Sequence, residues 1–318
     1  MSSSSSFLLK RSLLGLLTLV VTSAIVFAAT EVLPGDVSTA VLGQSATPEM
    51  VAQIRQQLGL DLPIAQRYAA WLLRFATGDM GKSFATGAEV AGVIAPRLWN
   101  TMALAAYSAI VAIPLAIGLG VLCAGWQQGL FDRTVSSVSV FLVSVPEFVI
   151  AIILVVLFAV QLKLFPSVIA RPSWQSPATL LWQLFLPMAT IVFTMLAHLI
   201  RMTRATILEA MASPYAEMAV LKGASKWRVI LRHCLPNSVG PVLSVVALNI
   251  GYLISGVAVI EVVFSYPGLG KLMVDSIFYR DLPLIQATAM IFCTAYVICN
   301  TLADVTADSL NPRLRSAA

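Results

Sequence analysis

Residues 98–130 contain no charged side chain, and five other stretches are nearly as bare: 12–30, 135–160, 180–200, 239–260 and 284–303. A helix needs about 20 apolar residues to cross roughly 30 Å of hydrocarbon, and it can do so because it pairs its own backbone polar groups. Six such stretches in a chain of 318 residues predict an all-α polytopic membrane protein with six transmembrane helices. Only 11% of the residues are charged and 58% are hydrophobic, with a mean hydropathy of +0.88. Soluble domains carry about 25% charged residues, so a soluble fold is excluded. Disorder is excluded on the same grounds.

The first stretch follows Lys10 and Arg11 and contains the pair Ala28-Ala29, as a signal peptide would. Its apolar run is longer than the roughly 7–15 residues of a signal core, so a retained first helix is expected. Orientation follows from the basic residues of the short loops. With a cytoplasmic N-terminus, the inner side holds Lys10, Arg11, Arg133, Arg201, Arg204, Lys222, Lys226, Arg228, Arg232, Arg313 and Arg315. The short outer loops hold only Lys163, Arg171, Lys271 and Arg280. That asymmetry predicts both termini inside.

Residues 31–97 are too polar to span and too patterned for a linker. Thr47-Pro48-Glu49 reads as a helix start, followed by Val51, Ile54 and Leu58 at helical spacing and a stop at Gly59. Tyr68, Trp71, Leu72 and Phe75 form a second amphipathic stripe, and Trp and Tyr suit a membrane interface. A small external helical cap is expected. Gly78-Asp79-Met80-Gly81-Lys82-Ser83 echoes a phosphate-binding loop, but that motif needs glycine where Ala76 stands and a preceding strand. Any ATP is therefore expected on another chain. Cys123, Cys234, Cys293 and Cys299 show no ligand spacing, so neither disulfide nor metal is expected.

The most charged inner loop spans 201–236. Ser213-Pro214 starts a helix by cap and first-turn logic, with Glu217 near its positive end. Gly223 breaks it, and a tight break there is expected at positive φ. Ser225 can cap a basic second helix that Leu235-Pro236 ends at the membrane face. Such a knob suits a cytoplasmic protein partner, or equally anionic lipid headgroups.

Glu217-Met218-Ala219, three residues, Gly223, nine residues and His233-Cys234-Leu235-Pro236 resemble the EAA loop of bacterial ABC-importer permeases, with Met218 and His233 as departures. The His-x-Leu-Pro-Asn form resembles the dipeptide/oligopeptide/nickel branch. Leu33-Pro34-Gly35-Asp36, Leu58-Gly59-Leu60-Asp61 and Gly78 to Ser83 resemble that branch's first external region. Ser144-x-Pro146-x-Phe148 resembles its third helix, Phe264 to Gly270 with Arg280-Asp281-x-Pro283 its last external loop, and Asn311-Pro312-Arg313 its tail.

The resemblance implies a permease subunit of a binding-protein-dependent importer, itself without catalysis or cofactor. Its partners would be a second permease, two ATPases carrying ATP and magnesium, and an external solute-binding protein. The implied coupling residues are Pro214, Tyr215, Glu217, Ala219, Lys222, Gly223 and Ala224. The implied pore residues are Ser144, Pro146 and Glu147, and the implied docking residues for the binding protein are Tyr266, Pro267 and Asp281. Domain limits are 1–30 for the tail and first helix, 31–98 for the cap, 99–310 for the five-helix core, and 311–318 for the tail. Nucleic acid is not an expected partner.

An ion-coupled secondary transporter is the competing class, but such proteins bury several ionisable residues. Here only Glu147 falls mid-span, about a dozen residues into the third helix, where Pro146 should let the helix bend. His198, Glu261, Asp304 and Asp308 lie nearer helix ends. Glu147 is expected either to face the pore and hold a cationic group or to hydrogen-bond structurally. Peptides are the default substrate, with nickel, glutathione-like compounds, opines and sugars open.

Overall fold

A computed structural model describes residues 2–32, 47, 49, 61–174 and 176–310. Its helices run α1 (Ser2–Val32), α2 (Ile64–Ala76), α3 (Val90–Gly125), α4 (Leu130–Ser144), α5 (Glu147–Leu154), α6 (Pro177–Met211), α7 (Pro214–Leu221), α8 (Lys226–Val229), α9 (Leu235–Val263), α10 (Leu269–Tyr279) and α11 (Leu282–Leu310). A single isolated bridge, Lys82 to Glu89, is the β pairing seen among the described residues. Five helices are long and apolar enough to cross a membrane, and six if the bent pair α4 and α5 forms one span. The expected helix start at Thr47-Pro48-Glu49 and the stripe Val51, Ile54 and Leu58 lie largely outside the described residues.

The centre of the bundle is α6, which packs along α3 on one side and against α9 and α4 on others. Its face Leu184, Ile191, Met195 and Leu199 is buried with Leu104 and Ala112 of α3 and Val246 and Val257 of α9. By contrast α1 leaves Leu13, Leu17, Val21 and Ile25 exposed, which only lipid makes tolerable. It is pinned to α11. Gly15 takes up the Val297 side chain, Gln286 donates to the buried Thr30 hydroxyl at 2.8 Å, and Arg11 pairs with Asp304 at 2.9 Å.

The cap stripe packs on α1. Phe27 meets Tyr68 edge-on at 5.5 Å and Trp71 at 5.7 Å, and the Tyr68 and Ser23 hydroxyls hydrogen-bond at 2.8 Å.

The third stretch is not one helix. α4 and α5 meet at 106°. Proline denies the α region to the residue before it, and Val145 (φ −96°, ψ 125°) and Pro146 (φ −56°, ψ 140°) are both extended. Glu147 therefore opens α5 in its first turn, rather than lying a dozen residues into a continuous helix. The end of α5 widens into a π-helical segment, Val155–Gln161.

A second boundary differs as well. α8 does not stop at Leu235-Pro236. It passes through a π turn, Ile230–Cys234, straight into α9. The wide turn places Pro236 in the first positions of α9, where its missing N–H costs no bond.

Candidate functional site

α7 is a two-turn helix with Pro214 at its start and Glu217 in its first turn. The expected Ser213 cap is absent: its hydroxyl donates back to the Ala210 carbonyl at 2.5 Å. Ser225 likewise makes no cap bond. The other end closes by the mechanism that glycine permits. Gly223 has φ +81°, its N–H reaches the Val220 carbonyl at 2.8 Å, and the Ala224 N–H reaches the Ala219 carbonyl at 3.1 Å. This is the Schellman pair of bonds, and it turns the chain sharply into α8.

One face of this knob is buried and the other is not. Ala216 is 1% exposed and packs with Val229, Ile230 and Cys234 against Val121, Ala124 and Ile207. Ala219 and Ala224 lean on the same cluster. Tyr215, Met218 and Leu221 are exposed, as are Glu217 and Lys222. Met218 departs from the alanine of the EAA pattern without penalty because it points away from the packed face. Three apolar side chains on one free helical face, with charges beside them, form a surface suited to a partner.

The knob is tied to the bundle through Trp227, beside an ion pair that joins two bundle helices. The Trp227 indole lies over Gly125 at the end of α3 and meets Trp126 edge-on at 5.6 Å. Close by, Arg204 of α6 makes a bidentate pair with Asp132 of α4, at 2.6 Å and 2.8 Å. Asp132 is 3% exposed, and it also accepts from the Gln128 N–H at 2.9 Å.

At the opposite end, the expected docking residues have internal partners. Tyr266 is fully buried and its hydroxyl donates to the Asn100 carbonyl at 3.0 Å. Burial, and then the Glu261 carboxylate, push its phenol well above the usual tyrosine range, so it remains a donor. The Pro267 carbonyl accepts from the Asn100 side chain at 2.8 Å. Asp281, 1% exposed, accepts from the Ser83 hydroxyl and from the Phe84 and Ala85 N–H groups at 3.1 and 3.3 Å. The side chains of Tyr266 and Asp281 are thus buried and Pro267 is half-buried. The exposed side chains nearby close α10: Phe278 and Tyr279 are 81% and 73% exposed, and Arg280 beside them is exposed at φ +54°.

Glu261 organises the same region. Its carboxylate is fully buried, accepting from the Thr101 hydroxyl at 2.5 Å and from the Gly270 and Lys271 N–H groups at 2.7 and 3.1 Å. A Cβ on Gly268 would sit 2.0 Å from its oxygen, so only glycine lets the chain pass.

Of the expected pore residues, Ser144 and Pro146 are exposed and the Ser144 hydroxyl donates to Val140 at 3.0 Å. Glu147 is half-buried, in a small cavity with Thr194, His198 and Asn249. No group of metal-ligating side chains occurs among the described residues.

The family model for binding-protein-dependent transport system inner membrane components matches residues 116–316, and its N-terminal companion matches 5–105. The chain belongs to this family. It is 34% identical over 311 residues to the glutathione transport system permease protein of Escherichia coli (strain K12), covering 98% of this chain and 99% of that one. It is 36% identical over 310 residues to a protein of Brucella abortus (strain 2308) provisionally named a peptide transport system permease, at 98% and 99% coverage.

As an inner-membrane component the chain spans the bilayer several times and serves transport. Asp132, Trp227 and Thr101 carry much of the permease's internal wiring, and no sequence pattern discloses them. Asp132 reads as an ordinary acid at a helix start, and the partners of Trp227 and Thr101 are remote in sequence.

Proposed function

We propose that this permease forms half of the translocation pore of an ATP-driven peptide importer, beside a second, similar permease. Both termini and the 201–236 loop face the cytoplasm, and α7 docks into a groove on one of two ATPase subunits that carry ATP and magnesium. This chain itself has no catalytic role. The knob built by Pro214, Glu217 and Gly223 carries the reading. Its buried face is fixed to α3 and α6, so a push on Tyr215, Met218 and Leu221 reaches the pore helices instead of bending a loose loop.

The external binding protein meets the Phe278, Tyr279 and Arg280 corner, which Asp281 and Glu261 hold in place. A non-glycine residue at positive φ is strained, and here it places the exposed Arg280 at the turn between α10 and α11. Peptides are the proposed cargo because relatives of nearly full-length match are named for peptides or glutathione, itself a small peptide. Met218→Cys in the assembled complex should cross-link to an ATPase subunit with a short bifunctional thiol reagent. Cross-linking at Val32→Cys instead, with none at position 218, would remove the coupling assignment.

A further inference from the structure

Three membrane helices bring polar side chains to one small cavity inside the bundle: Glu147 from α5, Thr194 and His198 from α6, and Asn249 from α9. The remaining wall is apolar apart from Gly256, and the space is about 20 Å³, enough for one water-sized group. Gly256 leaves the carboxylate room, since a Cβ there would lie 3.0 Å from its Oε2 and press it aside by a few tenths of an ångström.

Acceptors predominate in the hydrogen-bonding capacity left over at this site, although Asn249 keeps one amide hydrogen and His198 a ring N–H. Thr194 spends its hydroxyl hydrogen on the Thr190 carbonyl at 3.1 Å, and Asn249 spends an amide hydrogen on the Val245 carbonyl at 2.8 Å. Their oxygens keep acceptor lone pairs. Among the described residues, no hydrogen bond or ion pair reaches the Glu147 carboxylate. A carboxylate with two neutral acceptors, inside a membrane bundle, is complementary to a cation that only donates. A primary ammonium has three N–H donors and no acceptor, and its head is the size of the space. A planar guanidinium is too large for it. A divalent metal would find one carboxylate, one imidazole and two neutral oxygens, short of the roughly six oxygen ligands such a cation takes, and no group of three acidic, His or Cys ligands occurs among the described residues.

We propose that this cavity is a binding site for the ammonium group of a solute in passage, with Glu147 as counter-ion and Thr194 and Asn249 as acceptors. The importer reading above underlies this assignment. The site deepens that reading by adding a substrate class: solutes with a free primary amine. His198, exposed at the rim, stands where the rest of the solute would pass.

Two measurements on the assembled complex in proteoliposomes test it. The first compares uptake of trialanine and N-formyl-trialanine by wild type, Glu147→Gln and Thr194→Val. The expected result is a loss of roughly ten-fold or more for trialanine in Glu147→Gln, with N-formyl-trialanine unchanged and Thr194→Val intermediate. Equal losses for both peptides, or none, overturn the site.

The second measurement does not depend on peptide import. Dicyclohexylcarbodiimide labels protonated carboxyls in apolar surroundings, and mass spectrometry reads its addition at Glu147. Alanine amide, which carries the ammonium, should slow that labelling several-fold, while N-acetylalanine amide should not. Identical labelling with both overturns the site. If the wild-type complex imports neither peptide, the peptide reading fails and the labelling result still decides the cavity.

Discussion

A Cβ added to Gly125 would lie 2.1 Å from Cη2 of Trp227. The end of α3 and the start of α8 therefore approach as closely as a bare backbone and an indole allow, and this contact joins the α7–α8 knob to a helix of the bundle. Gly125→Ala forces the ring away, and overpacking of this kind costs about 1–3 kcal/mol. We expect a lower melting temperature and reduced uptake per ATP hydrolysed. Trp227→Ala gives up the ring's own packing but also removes the clash, so the two losses together should be less than additive. Fully additive losses in a double-mutant cycle would show that the two residues act separately.

At Gly223 space is not the issue: nothing lies within 4 Å of an added Cβ. The constraint is the backbone at φ +81°, which asparagine tolerates and β-branched residues do not. Gly223→Asn should keep most of the transport, whereas Gly223→Val should lose most of it while still inserting in the membrane. Equal transport by the two variants would remove the hinge role. Uptake normalised to the amount of assembled complex is the readout.

This distinction was partly visible in the sequence. Long uncharged runs disclose membrane helices because nothing else tolerates them, and Gly223 between two helical patterns discloses a turn. The break at Val145-Pro146 was harder to see, since proline inside an apolar run more often bends a helix than severs it. Glu261 looked like an ordinary acid near a helix end. Its purpose depends on Thr101 and on the N–H groups of Gly270 and Lys271, and no local pattern encodes that convergence. Tyr266 and Asp281 fell on a recognisable motif, but their burial was not legible in it. The exposed side chains of that corner are Phe278 and Arg280.

Asp132 and Arg204 lock α4 to α6 beside the knob. Side-chain exposure is 4% for Asp132 and 28% for Arg204, so Arg204→Leu strands a buried carboxylate. Breaking such a pair from one side costs about 3–5 kcal/mol. The melting temperature of the detergent-purified complex should fall sharply in Arg204→Leu and recover in part when Asp132→Asn is added. An unchanged melting temperature in the single variant would show that the pair contributes nothing.

Orientation is testable at two exposed positions on opposite ends of the fold. Phe278→Cys should react with a membrane-impermeant maleimide added to intact spheroplasts, and Met218→Cys should react only after permeabilisation. Reaction at position 218 from outside would invert the assignment of every loop.

If an ATPase drives this permease through the α7 knob, solute moves only while ATP is hydrolysed. Trialanine uptake into proteoliposomes holding the complete complex and its binding protein decides this. Uptake is followed with ATP on the ATPase side, without ATP, and with an imposed proton gradient alone. The expected result is uptake with ATP and none in the other two conditions. Accumulation driven by the proton gradient without ATP would contradict it and make the chain a secondary transporter.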